Sequence, residues 1–194
     1  MQGEPENADC SSDMTRLLRR WSSGDESARE ELSAGIYFEL KRLARIQFSG
    51  ERAGHTLQPT ALVNEAWMKL IQGDQVDWHG RSHFMAVAAR VMRQILIDSG
   101  RRKRAAKRQG PGPITVGLIE EGGSAVVDLL ALDQALDQLE ELDANQARIV
   151  ELRYFGGLTI PETAEVLDVS TATVNRAWRA ARAWLFLQIE PTGV

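Results

Sequence analysis

Apolar residues recur at spacings of three and four along most of the chain, the period of helices that each bury one stripe. Leu17, Leu18 and Trp21 mark a helix over about 14–21, and Leu32, Ile36, Leu40 and Leu43 share a face of a longer one over 27–46. Pro59 and Thr60 open a third that reaches about Ile71, with Leu62, Val63, Ala66, Trp67 and Leu70 on one arc and Asn64, Glu65, Met68 and Lys69 on the other. A fourth runs from Phe84 to about Lys107, placing Phe84, Val87, Ala88, Val91 and Ile95 on one side and Arg90, Arg93, Ile97, Arg101 and Arg104 opposite. Leu129, Leu132, Leu136 and Leu139 are in phase over 129–142, and Asp143 caps a helix to about Tyr154 that Gly156 and Gly157 end. The pattern predicts an all-α fold.

Breaks in the pattern divide the chain. Residues 1–12 combine Gly, Pro, Glu, Asp, Asn and Ser with little apolar content, too little to offset the entropy of ordering, and are expected to be disordered. QGPGPITV at 109–116 cannot stay helical, and glycines continue to Gly123, so a flexible linker is expected over 109–128 between helical domains at 13–108 and 129–190.

The stretch from Leu158 to Leu187 carries the sharpest signal. Thr159 followed by Pro161 and Glu162 predicts a reciprocally capped helix start, because the hydroxyl accepts from the Glu162 amide while Glu162 reaches back. That helix ends near Leu167. Ser170, with Thr173 three residues on, starts another through Leu187, and two helices joined by a tight turn make a helix-turn-helix pattern. Ile149, Val150, Leu152 and Phe155 are expected to pack beneath the pair. Val174, Ala177, Trp178, Ala181 and Leu185 face the core, leaving Arg176, Arg179, Ala172 and Ala183 free. A free face of arginines and small residues, with Ser170, Thr171 and Thr173 at its start, suits a DNA major groove, where arginine reaches phosphates or guanine edges. An ordinary solvated face is the plainer alternative for an isolated helix; the paired helix favours DNA.

The net charge of −4 is unusual for a DNA-binding chain, but its distribution is uneven. Between Phe84 and Arg108 eight basic residues face Asp98 alone, whereas no lysine or arginine occurs between Gln109 and Ala147, where eight carboxylates accumulate. One block is built for a polyanion. Before it, the loop 72–82 holds Trp78 and His79; an unstacked base can rest on an indole for roughly 1–3 kcal/mol, though tryptophan serves equally as a lid over a core. His79 and His83 have helical ligand spacing, yet nothing nearby completes a zinc site, and no metal or cofactor is expected. Cys10 is the single cysteine, no apolar run approaches bilayer length and the amino terminus is acidic, so a cytoplasmic protein without a signal peptide or membrane insertion is expected. No motif unites nucleophile, base and orienting group, and enzyme activity is not expected.

Together LQPTALVNEAWMKL (57–70), RSHFMAVAARVMRQILIDSGRRKRAAKR (81–108) and ARIVELRYFGGLTIPETAEVLDVSTATVNRAWRAARAWL (147–185) resemble the bacterial sigma factors of the extracytoplasmic-function (ECF) group, most closely the subfamily abundant in planctomycetes. The resemblance covers most of residues 14–188. It implies RNA polymerase core as a partner through its clamp helices and flap, with Asn64, Glu65, Met68 and Lys69 docking on the clamp helices. It implies that Trp78, His79, Arg90, Arg93, Gln94, Arg101 and Arg104 capture a flipped base of the minus-ten element and the opened strand. Ser170, Thr171, Thr173, Arg176, Arg179 and Arg182 would read the minus-thirty-five element. Promoter DNA is thus an implied partner, and an anti-sigma protein a further one. Asp168 stands where related turns usually have glycine, a position whose left-handed geometry aspartate tolerates. Two other readings use the same helices: an operator-binding regulator, and a sigma mimic that only sequesters an anti-sigma protein.

Overall fold

The computed structural model describes residues 6–47, 58–72, 77–105, 115–120 and 123–189. Within them the chain folds as α1 (Glu6–Ser22), α2 (Glu26–Gln47), α3 (Pro59–Gln72), α4 (Arg81–Ala105), a hairpin of β1 (Thr115–Glu120) and β2 (Gly123–Asp128), then α5 (Leu129–Leu142), α6 (Ala144–Val150), a π-helical turn Glu151–Phe155, α7 (Ile160–Leu167) and α8 (Thr171–Gln188). The class is all-α, and the two-stranded hairpin is the one addition among the described residues.

Side-chain caps set several boundaries. Asp128 accepts from the Leu130 amide to start α5, and Asp143 both closes α5 and opens α6 by accepting from the Gln146 amide at 3.0 Å. Each carboxylate satisfies a donor that the first helical turn leaves orphaned. Thr159 and Glu162 form the predicted reciprocal cap of α7, with the Thr159 amide donating to Glu162 Oε2 at 2.8 Å. Asp168 ends α7 at φ 52°, ψ 47°, the left-handed geometry expected of that turn. Ser170 starts α8 by accepting from the Thr173 amide at 3.1 Å.

Four expectations are corrected. Residues 6–12 are helical, not disordered: α1 extends back from its packed segment Met14–Trp21, and once a helix is nucleated each added residue is cheap. The segment 115–128, read as linker, pairs instead as an antiparallel hairpin from Thr115↔Asp128 to Glu120↔Gly123, favoured by Val116, Ile119, Val126 and Val127. The helix predicted over 143–154 changes character at Glu151, where a π-turn takes over. Finally, α4 is not divided cleanly into an apolar and a cationic side: Met85, Ala89, Met92, Leu96 and Ile97 are buried along with Phe84, Ala88 and Ile95. It is the central helix, packed against α1, α3, α5, α7 and the π-turn. Residues 1–5 of the tail expected to be disordered, 73–76 of the loop, and 109–114 and 121–122 of the expected linker lie outside the described residues.

The apolar interior is continuous. One cluster takes Met14 and Leu18 from α1, Ile36 and Leu40 from α2, Leu62 and Val63 from α3, Phe84 and Met92 from α4, Leu132 and Leu136 from α5, and Phe155, Ala181 and Leu185 from the carboxy-terminal part. Leu152 and Phe155 join this shared core, whereas Ile149 makes a satellite with Ala164 and Val174 under α7 and α8. No described helix is long and apolar enough to cross a membrane.

Candidate nucleic-acid interface

Helix α8 is held by Val174, Ala181 and Leu185, which are buried, with Ala177 and Trp178 half-buried beside them. This anchoring leaves Thr171, Ala172, Arg176, Arg179, Ala180 and Ala183 exposed on the outer arc. Asn175 lies in the middle of that arc and is also exposed; sequence reasoning missed it, although its helical phase between Thr171 and Arg179 was available. An asparagine there has the donor and acceptor that adenine presents in the major groove. Ser170 and Thr173 are partly committed to capping, their hydroxyls 2.8 Å apart.

Arg182 differs from Arg176 and Arg179. It is half-buried, 5.8 Å from the Trp178 ring, which carries Arg153 at 4.6 Å. Two guanidiniums therefore flank one indole, a cation–π arrangement. Burial, and then the charge of Arg182, pushes the Arg153 guanidinium below its ordinary value, and its Nε and Nη1 are buried without a hydrogen-bond partner among the described residues. Nothing in the α8 periodicity points to Arg153, which comes from the π-turn.

The predicted strand-binding residues are distributed unevenly. Trp78 is 2% exposed, stacked 6.1 Å from Trp21 and tilted against Phe84 at 5.0 Å, and its amide donates to Ser22 Oγ at 2.7 Å. The expectation of an indole offered to a base is corrected: Trp78 fills the gap between α1 and α4, where its large apolar body gains most from burial. His79 is exposed and stacks on His83 at 5.0 Å, and its carbonyl accepts from Arg19 Nε at 3.2 Å. Burial, then the neighbouring His79, pushes the His83 imidazole below its ordinary value.

Along α4, Arg90, Gln94, Arg101 and Arg104 are exposed. Gln94 donates to Asp98 at 2.9 Å. Arg93 is not free, correcting the expectation of an open cation: it forks onto Asp133 Oδ1 with Nε at 3.2 Å and Nη2 at 2.8 Å, and Nη2 also reaches Asp137 at 2.9 Å. Burial opposes the charge, but the hydrogen bonds and charge of Asp133 outweigh it and hold the Arg93 guanidinium above its usual value. Arg101 lies 3.5 Å from Asp133, and Arg90 lies 4.0 Å from Glu151, which also pairs with Arg148. These groups line a cleft of about 440 Å³ between α4 and the α5–α6 segment.

On α3 the outer arc is open. Asn64, Met68 and Lys69 are exposed, Glu65 is half-buried, and Lys69 Nζ sits 3.6 Å from Glu65. Phe38 on α2 is a further exposed aromatic, at 67%, that the sequence pattern did not single out.

Apart from the hairpin the described residues are helical, and a capped two-helix unit, an outward arginine-bearing helix and a second cationic helix are features that suit a nucleic-acid-binding protein. A family model for ECF sigma factors matches residues 11–190, and the chain belongs to that family. Among curated proteins, none matches it. Membership makes the chain a sigma factor with a role in transcription initiation, and implies RNA polymerase core and promoter DNA as its partners.

Proposed function

We propose that the chain directs polymerase to promoters through three separate surfaces. The outer arc of α8, carrying Arg176, Arg179 and Asn175 with Thr171 at its start, enters the major groove of the minus-thirty-five element. The exposed cations of α4, with His79 before them, hold the unpaired strand at the minus-ten element. The α3 arc of Asn64, Glu65, Met68 and Lys69 docks on polymerase core, where an adaptable methionine side chain suits an apolar patch.

No covalent chemistry is needed. Strand opening follows from differential binding, because contacts made only to unpaired DNA offset an unstacking cost of a few kcal/mol. Two modest readers on one chain also make the second binding event intramolecular, which multiplies promoter selectivity. The observation that carries this reading is the anchoring of α8, whose buried Val174, Ala181 and Leu185 fix Arg176 and Arg179 outward on a capped, rigid helix. Run-off transcription with core polymerase on a promoter library tests it: the chain should select a two-part consensus. Transcripts no different from those of core alone would refute it.

A further inference from the structure

With Trp78 sealed inside, a base that leaves the duplex near the start of α4 meets a different ring. The aromatic side chains there form a series from core to solvent. Trp21 stacks on Trp78, Trp78 packs at 5.7 Å against His83, and His83 stacks at 5.0 Å and 22° on His79. The last ring is the open one, for the His79 side chain is 73% exposed.

The backbone beneath this ring is fixed. Three residues on successive turns of α1 hold it: Ser22 Oγ accepts from the Trp78 amide at 2.7 Å, Arg19 Nε donates to the His79 carbonyl at 3.2 Å, and Thr15 Oγ1 accepts from the Arg81 amide at 3.2 Å. Glycine at position 80 lets the loop come this close, since a Cβ there would fall 3.0 Å from Thr15 Cγ2. His83 adds the last constraint. Its Nδ1 accepts from the His79 amide at 3.4 Å, a long hydrogen bond that requires an imidazole carrying its proton on Nε2 alone.

We infer that an unpaired base of the opened strand rests on the imidazole of His79, and that His83, accepting at Nδ1, is the positioning residue that holds that ring in place. The inference rests on the strand-binding role proposed above for α4. A ring already ordered by its surroundings takes up a base with little further loss of entropy. His83 also lies in line with Arg90 and Gln94, since steps of seven and eleven residues are close to whole turns at about 3.6 residues per turn. Arg90 and Gln94 are exposed, and Arg90 stands roughly 10 Å along the axis from His83 at about 1.5 Å per residue. A base on His79 therefore has a cation ahead of it for the neighbouring phosphates.

The arrangement gives strand capture a pH dependence of unusual sign. Protonated His83 would place an N–H where the His79 amide already donates, and would set a positive charge against the stacked ring. Burial and then His79 keep His83 below its ordinary value, with Asp77 opposing them, so the accepting form prevails at neutral pH. The other charged groups at the pair are Asp77, 3.7 Å from His79 Nδ1, and Arg19 of α1; Arg81 of α4 is committed to Glu39 and Glu162. Acid should thus release the ring and weaken capture, whereas a histidine that met DNA through charge would bind more tightly in acid.

The test measures binding of a short single-stranded oligonucleotide to the full chain assembled with core polymerase, by fluorescence anisotropy at about pH 7.5 and about pH 5.5, against core alone. Both values lie above the range in which Asp25 and Glu162 begin to loosen the fold. The wild type should bind about tenfold more weakly at the lower pH, the worth of one stacked base. His79→Ala should lose about as much at the higher pH and little more in acid, and His79→Phe, a ring without a charge, should recover most of that loss. His83→Gln, which can accept but cannot take up a proton in this range, should bind severalfold more weakly than wild type and show no acid loss. Tighter wild-type binding in acid, an undiminished acid loss in His83→Gln, or a His79→Phe as weak as His79→Ala would overturn the platform. Equal binding by all four proteins with a steep salt dependence would also overturn it while leaving the α4 cations as the strand grip. Binding no greater than that of core alone would remove the strand-binding role, and the platform with it.

Discussion

Arg93 Nη2 lies 2.8 Å from Asp133 Oδ1 and 2.9 Å from Asp137 Oδ1, so one guanidinium on α4 holds two carboxylates on consecutive turns of α5. Arg93→Ala leaves the buried Asp133 with Arg101 alone at 3.5 Å. Hydrogen bonds to charged groups contribute about 1.5–3 kcal/mol, and the variant should lose about 2 kcal/mol in urea denaturation. Arg93→Lys should recover only part of this, because an ammonium cannot fork onto a carboxylate. An unchanged midpoint would show the pair to be energetically idle.

Acid should loosen the protein before it protonates ordinary carboxylates fully. Hydrogen bonds from Ser27 and Arg20 lower Asp25 to about 2. At Glu162 burial works the other way, but the Thr159 hydrogen bonds and Arg81 prevail and the carboxyl sits below its usual range. Both groups bind protons more weakly folded than unfolded, so falling pH favours unfolding. Their contribution should be complete above about pH 5 and disappear progressively toward pH 2, with the Glu162 share absent in Glu162→Gln. Thermal melts across that range measure it.

The placement of Trp78 separates stability from strand opening. As an interior side chain packed on Trp21 and Phe84, it should cost about 3–5 kcal/mol when truncated to alanine. Trp78→Phe should keep most of that packing. Permanganate reactivity of unpaired promoter thymines should then be near wild type for Trp78→Phe; a large defect in a stably folded phenylalanine variant would mean that the indole leaves the core to meet DNA.

Arg176→Ala and Arg179→Ala should each weaken upstream-element binding by about 1–3 kcal/mol if they contact base edges. If either contacts phosphate alone, binding should weaken across all sequences and the slope of log affinity against log salt should drop by about one. Both residues are exposed, so the melting temperature should not move. Asn175→Ala should relax discrimination at a single base pair.

Much of the architecture was legible because helices write a period of 3.6 into the chain, and Thr159, Glu162, Asp143 and Ser170 announce helix starts through local chemistry. The outward arc of α8 follows from the same count. Other features leave no local trace. Arg93 and Asp133 are 40 residues apart, so charge segregation was visible in the sequence but its mutual neutralisation was not. The hairpin was hidden by glycines that punctuate a short β-branched run as they would a linker. Trp78 is amphipathic enough to suit a wet loop or a dry core, and only the placement of Trp21 and Phe84 decides. Arg153 reaches Trp178 from a π-turn, a departure from regular helix that no periodicity encodes.

The uninterrupted apolar cluster from Met14 to Ile189 bears on how the molecule comes apart. Heating should produce a single cooperative melt instead of one for each half. Cutting the chain between β2 and α5 would, once the pieces part, expose to water the apolar residues of α4 and α5 that belong to this one cluster, leaving two fragments prone to aggregate. A substitution in either half will therefore be felt in the other.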